Sequence, residues 1–214
     1  MSPGRFVRSV LGERAFRAVG RVYRAAFVDL DREVAAIAAE IPPQAHVLDV
    51  GGGDGEPLDR LLARRPDIRV TTIDVAPSVG AWIAAAHADR VVRVPSTTLE
   101  GYLASAAPVP EVLLACDVIH HIPPTERAAF FAAVATLFER NSALRFIVKD
   151  VEPGHWRATL GCLSDRYVTG DRAVSPVSRA ELVEAITSSR PDLRWRETGL
   201  FDADPPNYAL VFEN

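Results

Sequence analysis

The stretch Val47-Leu48-Asp49-Val50-Gly51-Gly52-Gly53-Asp54-Gly55-Glu56-Pro57-Leu58 constrains this chain more than any other. An apolar run stops at Gly51, Gly53 and Gly55, and the sequence then becomes amphipathic, with Leu58, Leu61 and Leu62 at helical spacing. That pattern predicts a strand, a tight turn and a helix. Glycines let a turn adopt positive φ and let its backbone approach a ligand, while the next helix offers unpaired N–H groups at its start. Pro57 falls in the first helical turn, where a missing N–H is harmless. The unit is a candidate nucleotide-binding turn.

Its spacing bears on the ligand. Dinucleotide turns place the third glycine three residues after the second, so that a pyrophosphate rests on the helix N-terminus. Here it comes one residue early, and Asp49 stands two residues before the first glycine. A carboxylate there opposes a pyrophosphate and suits a ligand bearing an ammonium and a sulfonium. Nineteen residues after Gly55, the apolar run Val70 to Ile73 ends in Asp74, placed to accept hydrogen bonds from two ribose hydroxyls.

Alternation of strand and helix continues downstream. Strands are expected at 46–50, 69–73, 90–94, 111–116, 143–149, 193–200 and 207–213, and helices at 56–64, 79–86, 97–105, 124–139 and 178–189. The last helix carries a capping box, Ser178 with Glu181 three residues later. Such alternation implies a parallel sheet covered on both faces. The final two strands, joined by Asp204-Pro205-Pro206, are near enough for a hairpin, which puts one antiparallel strand in the sheet.

Asp49, the glycine turn and Asp74 together resemble the S-adenosylmethionine-dependent methyltransferases with a seven-stranded Rossmann-like sheet, in particular bacterial small-molecule and natural-product enzymes. The resemblance implies an α/β three-layer fold, strand order 3-2-1-4-5-7-6 with strand 7 antiparallel, and S-adenosylmethionine as cofactor. It implies one domain over 1–214, with an N-terminal helical cap at 1–42 and the Rossmann-like core at 43–214. Ligands of open α/β sheets bind beyond the carboxyl ends of the strands. The cofactor contacts expected there are Asp49, Gly51, Gly53, Gly55, Asp74, Val75, Ser96, Thr97, Cys116 and Asp117. Where relatives place an acid for the adenine amino group after strand 3, this chain has Ser96 and Thr97, so a hydroxyl and backbone are expected to hold adenine.

The string Cys116-Asp117-Val118-Ile119-His120-His121-Ile122-Pro123 resembles the motif after strand 4 in this family. A histidine of near-neutral pKa is a natural base for a hydroxyl proton. Adjacent histidines cannot both face one cleft; His121 is the preferred candidate, His120 the second, and a packing or capping role for both stays open. Asp150, at the end of strand 5, could orient that histidine or act as base itself. Lys149 is the single lysine among 24 basic residues, and a structural ion pair and a substrate contact are both open for it. The irregular stretch 150–177 has the length of a functional loop or lid. Substrate contacts expected there and beside it are Lys149, His155, Trp156, Arg166 and Tyr167, with Phe201 as a further aromatic wall. Glu152, His155 and Asp165, with Asp117 and Asp150, are of metal-ligating type. Metal-dependent relatives, however, carry Asp-Asn after strand 5, whereas Val151 follows Asp150, and no metal is expected.

Composition bounds the rest. With 214 residues the chain suits one domain. Net charge is −4, which does not favour wrapping nucleic acid, and the Asn/Asp-Pro-Pro-Tyr signature of DNA-base methylation is missing after strand 4. Cys116 and Cys162 lie far apart, which fits neither zinc nor a redox dithiol and suggests a reducing, cytoplasmic setting. No apolar stretch approaches the about 20 residues needed to span a bilayer. Residues 5–41 read as helical, with Phe16, Val19, Tyr23, Phe27, Leu30, Val34, Ile37 and Ile41 recurring every three or four positions. Residues 1–28 hold six arginines against one acid. They form either a solvated face on a packed helix or a weak lipid- or phosphate-binding surface.

The activity this implies is methyl transfer to a small-molecule acceptor, at a hydroxyl oxygen or at carbon, in secondary metabolism. Two alternatives stand beside it: an NAD-dependent oxidoreductase, and a non-catalytic cofactor-binding protein with a basic partner-binding helix. Monomer and homodimer are both open.

Overall fold

The structure, a computed structural model, describes residues 29–155, 174–198 and 206–214. Its elements are α1 (Leu30–Glu40), β1 (His46–Val50), α2 (Glu56–Arg64), β2 (Arg69–Asp74), β3 (Val91–Pro95), α3 (Leu99–Ala104), β4 (Val112–Cys116), α4 (Arg127–Arg140), β5 (Arg145–Val151), α5 (Arg179–Ser189), β6 (Arg194–Glu197) and β7 (Asn207–Glu213). The seven strands form one sheet in the order β3-β2-β1-β4-β5-β7-β6. β7 runs antiparallel to β5 and β6, and the other pairings are parallel.

Period-two alternation along the strands explains the three layers. Val47, Val70, Leu114, Ile147 and Val211 point to one face, where Val34 and Ile37 of α1 and Leu58, Leu61 and Leu62 of α2 cover them. Leu48, Ile73, Leu113, Phe146 and Phe212 point to the other, against Phe130, Val134 and Leu137 of α4 and Leu182 and Ile186 of α5. Truncating any one of these leucines to alanine costs about 2–5 kcal/mol.

Caps fix the helix ends. Asp29 accepts the Arg32 N–H at the start of α1, and Ser178 and Glu181 form the expected capping box on α5. At the other end of α1, the Arg65 guanidinium donates to the carbonyls of Ala38 at 2.7 Å and Ile41 at 2.6 Å, groups that a helix end leaves without partners. Arg65 thereby joins the two helices on that face.

One expected element is different. Residues 79–84 form no α-helix, and a 3-10 turn spans Ala85–Arg90 instead. The backbone donors of this stretch are used elsewhere: Gly80 N–H goes to the Gly53 carbonyl at 2.9 Å, Trp82 N–H to the Asp54 carbonyl at 2.8 Å, and Ala84 N–H to the Asp59 carboxylate at 2.8 Å. Gly80 itself has φ +65°, outside helix geometry. The segment buttresses the glycine turn. β5 runs two residues beyond its expected end, which places Asp150 inside the sheet opposite Tyr208. α4 begins three residues later than expected, after Pro123 and Pro124. Of the expected N-terminal helix, Leu30–Glu40 is helical and residues 1–28 lie outside the described residues.

Candidate active site

The glycine turn folds back over β2. Gly51 and Gly52 N–H groups donate to the Ile73 carbonyl at 2.8 and 3.2 Å. Gly52 is glycine because of the protein beneath it: a Cβ there would lie 1.9 Å from Thr72 Oγ1 and 2.6 Å from Asp49 Oδ2. Gly53 is different. Its φ is +52°, and a Cβ would meet nothing closer than the Gly51 carbonyl at 3.9 Å, so the space beside it opens onto a cavity that it lines.

Asp74 stands where the sequence places it, at the end of β2. Its carboxylate accepts the Gly53 N–H at 2.9 Å and the Ala76 N–H at 2.8 Å, which fixes it on the cavity wall. Val75 follows, 73% exposed, an apolar side chain facing a cavity instead of a core. Thr97 lines the cavity, as do Thr98, Leu99 and Glu100, which the sequence reading did not single out; Ser96, with φ +53°, is not among the lining residues. Gly55 is buried as the left-handed N-cap of α2 and does not line it.

Asp49 does not reach the cavity. It is buried beneath the turn, accepts the Thr72 hydroxyl at 2.7 Å, and is pushed up to about 6 by burial, with the Thr72 bond opposing and Asp74 adding to the shift. Its part is to support the turn. Cys116, beside Asp49 in a small void against α1, has a thiol pushed well up by burial.

Asp117 faces the cavity from the end of β4, with φ +56°. Behind it lies Lys149, 1% exposed, whose ammonium donates to both Asp117 carboxylate oxygens at 2.8 and 2.7 Å. Glu33 of α1, also buried, approaches the same ammonium at 3.6 Å. Burial alone would push Lys149 down, but Asp117 and Glu33 outweigh it and hold the ammonium above its ordinary range. Between the two open readings the structure gives Lys149 the structural ion pair, and Glu33, 116 residues distant in sequence, is the partner that sequence reading missed.

The two histidines divide. His121 lines the cavity. His120 is buried, with Nδ1 2.6 Å from Asp150 Oδ1 and its backbone N–H donating to Asp150 Oδ2 at 3.2 Å. Asp150 orients His120, therefore, and the His121 ring packs against that of His120 at 4.2 Å between centroids. Asp117, His120 and Asp150 offer metal-ligand atoms within 4.8 Å of one another. Those atoms already satisfy one another or Lys149. Glu152 instead caps α5, accepting the Arg179 N–H at 3.0 Å. His155 is described but does not line the cavity, and Trp156, Asp165, Arg166, Tyr167 and Phe201 lie outside the described residues.

The chain re-enters the described part beside the histidines. Ser175 N–H donates to the His120 carbonyl at 2.8 Å, Arg127 donates to the Ser175 and Ile122 carbonyls, and the Tyr208 hydroxyl donates to the Val177 carbonyl at 2.9 Å. The cavity, about 420 Å³, is closed on that side by Val118, Ile122, Pro123, Glu126 and Phe130. Its described lining includes four carboxylates, Asp74, Glu100, Asp117 and Glu126, and no lysine or arginine.

No protein-family model matches the sequence, and no curated protein matches it. Solved structures do. An O-methyltransferase family protein from Burkholderia thailandensis superposes with TM-score 0.67 at 16% identity, over 90% of this chain and 58% of its own. The calicheamicin-biosynthesis methyltransferase CalO1, in its S-adenosylhomocysteine-bound form, gives TM-score 0.61 at 22% identity over 94% and 57%. The 1,6-didemethyltoxoflavin N1-methyltransferase of Burkholderia thailandensis gives 0.63 at 16% over 99% and 90%. The chain spans less than two thirds of the first two. In fold, it is similar to the seven-stranded small-molecule methyltransferases.

Proposed function

We propose that the chain is an S-adenosylmethionine-dependent methyltransferase acting on a small molecule. One observation carries this: a cavity at the carboxyl ends of β1, β2 and β4, walled by carboxylates and free of lysine and arginine among the described residues, beside a glycine turn with room at Gly53. Such a wall opposes a pyrophosphate and attracts a cation, which separates this reading from a nicotinamide dehydrogenase. The bound cofactor would supply an electrophilic methyl group on a sulfonium.

The protein's own groups do the rest. Asp74, already held by two backbone N–H groups, accepts from ribose hydroxyls. Val75 offers apolar surface to a flat base, with Thr97 and Thr98 as polar partners. His121 on the wall takes the acceptor's proton, and the Asp150–His120 pair holds the loop that carries it. Most of the rate comes from holding two reactants in line. Related structures support a small acceptor: one methyltransferase of neocarzinostatin biosynthesis holds 1,4-dihydroxy-2-naphthoic acid, and a Planctomyces limnophilus O-methyltransferase family 2 protein holds apigenin. Oxygen is the favoured target, with carbon second. Among the described residues no helix is long and apolar enough to cross a membrane, and the free Cys116 thiol suits a reducing cytoplasm.

Calorimetry with S-adenosylhomocysteine and, separately, NAD tests the assignment. Heat with the first and none with the second is expected. The reverse would overturn it.

A further inference from the structure

His121 reaches the cavity wall from a turn whose backbone donors and flanking acceptors are all engaged. The N–H groups of His120, His121 and Ile122 go to Asp150 Oδ2 at 3.2 Å, the Val118 carbonyl at 2.9 Å and the Ile119 carbonyl at 3.1 Å. The carbonyls on either side of His121 are taken as well: that of His120 by the Ser175 N–H at 2.8 Å, and that of Ile122 by Arg127 Nε at 3.0 Å. A second nitrogen of the same guanidinium donates to the Ser175 carbonyl. One side chain therefore closes a ring of bonds through Ile122, His121, His120 and Ser175, and the candidate base sits in that ring.

The turn needs such a tie. Pro123 and Pro124 follow it, and neither has an N–H to pin the chain as it leaves. Arg127 supplies the donors from α4 instead, and it does so from an unfavourable place. As the first residue of α4 its cation opposes the helix dipole, and burial pushes the guanidinium below its ordinary range, with Asp150 the largest influence in the other direction. Among the described residues it forms no ion pair, and it does not line the cavity. A cation kept there and directed at two carbonyls serves geometry, not charge balance. The rigid fork of a guanidinium holds two acceptors in a fixed relation; the single ammonium of a lysine, on a flexible stem, does not.

We propose that Arg127 is the positioning residue for His121: by bridging the Ile122 and Ser175 carbonyls it sets the direction in which the imidazole meets the acceptor. The proposal rests on the methyltransferase reading with His121 as base, and adds the group that aims it. Arg127 stands outside the cavity and acts through the turn alone.

NMR of protein carrying 13C at Cε1 of its five histidines tests this. The His121 signal is assigned by its loss in H121A, and the packing of its ring on that of His120, 4.2 Å between centroids, makes the signal sensitive to ring orientation. In the S-adenosylhomocysteine complex, R127M and R127K should both shift the His121 signal toward that of free histidine or broaden it. The His46 and His87 signals should stay in place, and calorimetric affinity for S-adenosylhomocysteine should stay within about twofold of the wild type. R127K keeps the cation, so a change shared by both variants is the loss of the fork. An unmoved His121 signal in either variant overturns the proposal. A displacement that His46 and His87 share, or an affinity that falls with it, also overturns it, because either marks a general loosening. Wild-type protein that binds no S-adenosylhomocysteine overturns the methyltransferase reading instead, and the spectra of the unliganded variants then still decide whether Arg127 sets the direction of His121.

Discussion

Asp150 of β5 and His120 of the 3-10 turn after β4 meet, Oδ1 to Nδ1, at 2.6 Å. The carboxylate faces donors on every side: the imidazole nitrogen, the His120 backbone N–H at 3.2 Å and the Val151 N–H at 2.8 Å. Asp150→Asn keeps the shape but turns an amide NH2 toward one of those donors. We expect a loss of about 2–3 kcal/mol in stability, as for a buried donor left without an acceptor, and a lower turnover because the loop bearing His121 loses its anchor. Urea denaturation beside steady-state kinetics checks both.

His121→Ala removes the imidazole on the cavity wall and leaves the Asp150–His120 pair in place. Turnover should fall about 100-fold or more, the usual worth of a general base, while S-adenosylhomocysteine affinity stays near that of the wild type. Near-normal turnover would remove His121 from the mechanism.

Two neighbouring glycines should respond in opposite ways. Gly52→Ala drives a methyl into Thr72 and Asp49, so the loss falls on the fold, at several kcal/mol. Gly53→Ala meets nothing closer than the Gly51 carbonyl at 3.9 Å, an ordinary contact, and bears only its positive φ, about 1 kcal/mol, so the loss falls on cofactor affinity. Thermal melts and calorimetry on both variants show which property each glycine serves.

Much of this was legible in the sequence, and the failures have physical causes. The strands announced themselves because both faces of the sheet are covered, which makes Val112–Ala115 and Phe146–Val148 unbroken apolar runs. The place of Asp74 was legible because it closes an apolar run at a strand end. Residues 79–84 misled because their apolar spacing is helical while their N–H groups are consumed by the glycine turn and Asp59, a tertiary fact. Lys149 signalled itself by being the lone lysine, yet its partner Glu33 lies on another element with nothing local to mark it. Which histidine faces the cavity depends on where Asp150 sits, and that required β5 to extend two residues past its expected end at Lys149.

Asp49 gives a pH signature. Its folded value of about 6 is above the ordinary 3.8, so the folded state holds its proton more tightly than the unfolded chain. Below pH 4 both states are protonated and nothing is lost. Between about 4 and 6 the unfolded chain ionises first and stability declines. Above 6 the full penalty, roughly 3 kcal/mol, is present. Asp49→Asn has no such proton to lose, so urea denaturation should show the variant gaining on the wild type from pH 4 to 6 and holding a constant difference above 6. A wild type that gains with pH would show that the turn stabilises the ionised form.

β7 fills the gap between β5 and β6, although the chain reaches it after both. Until residues 207–213 arrive, β5 has a partner on its β4 side only, and its other row of N–H and C=O groups is open to any passing strand. Both Lys149 and Asp150 sit on that strand. The functional strand is thus the sheet's last interior edge to be sealed during synthesis, and a nascent chain halted before Asn207 should be prone to aggregation through it.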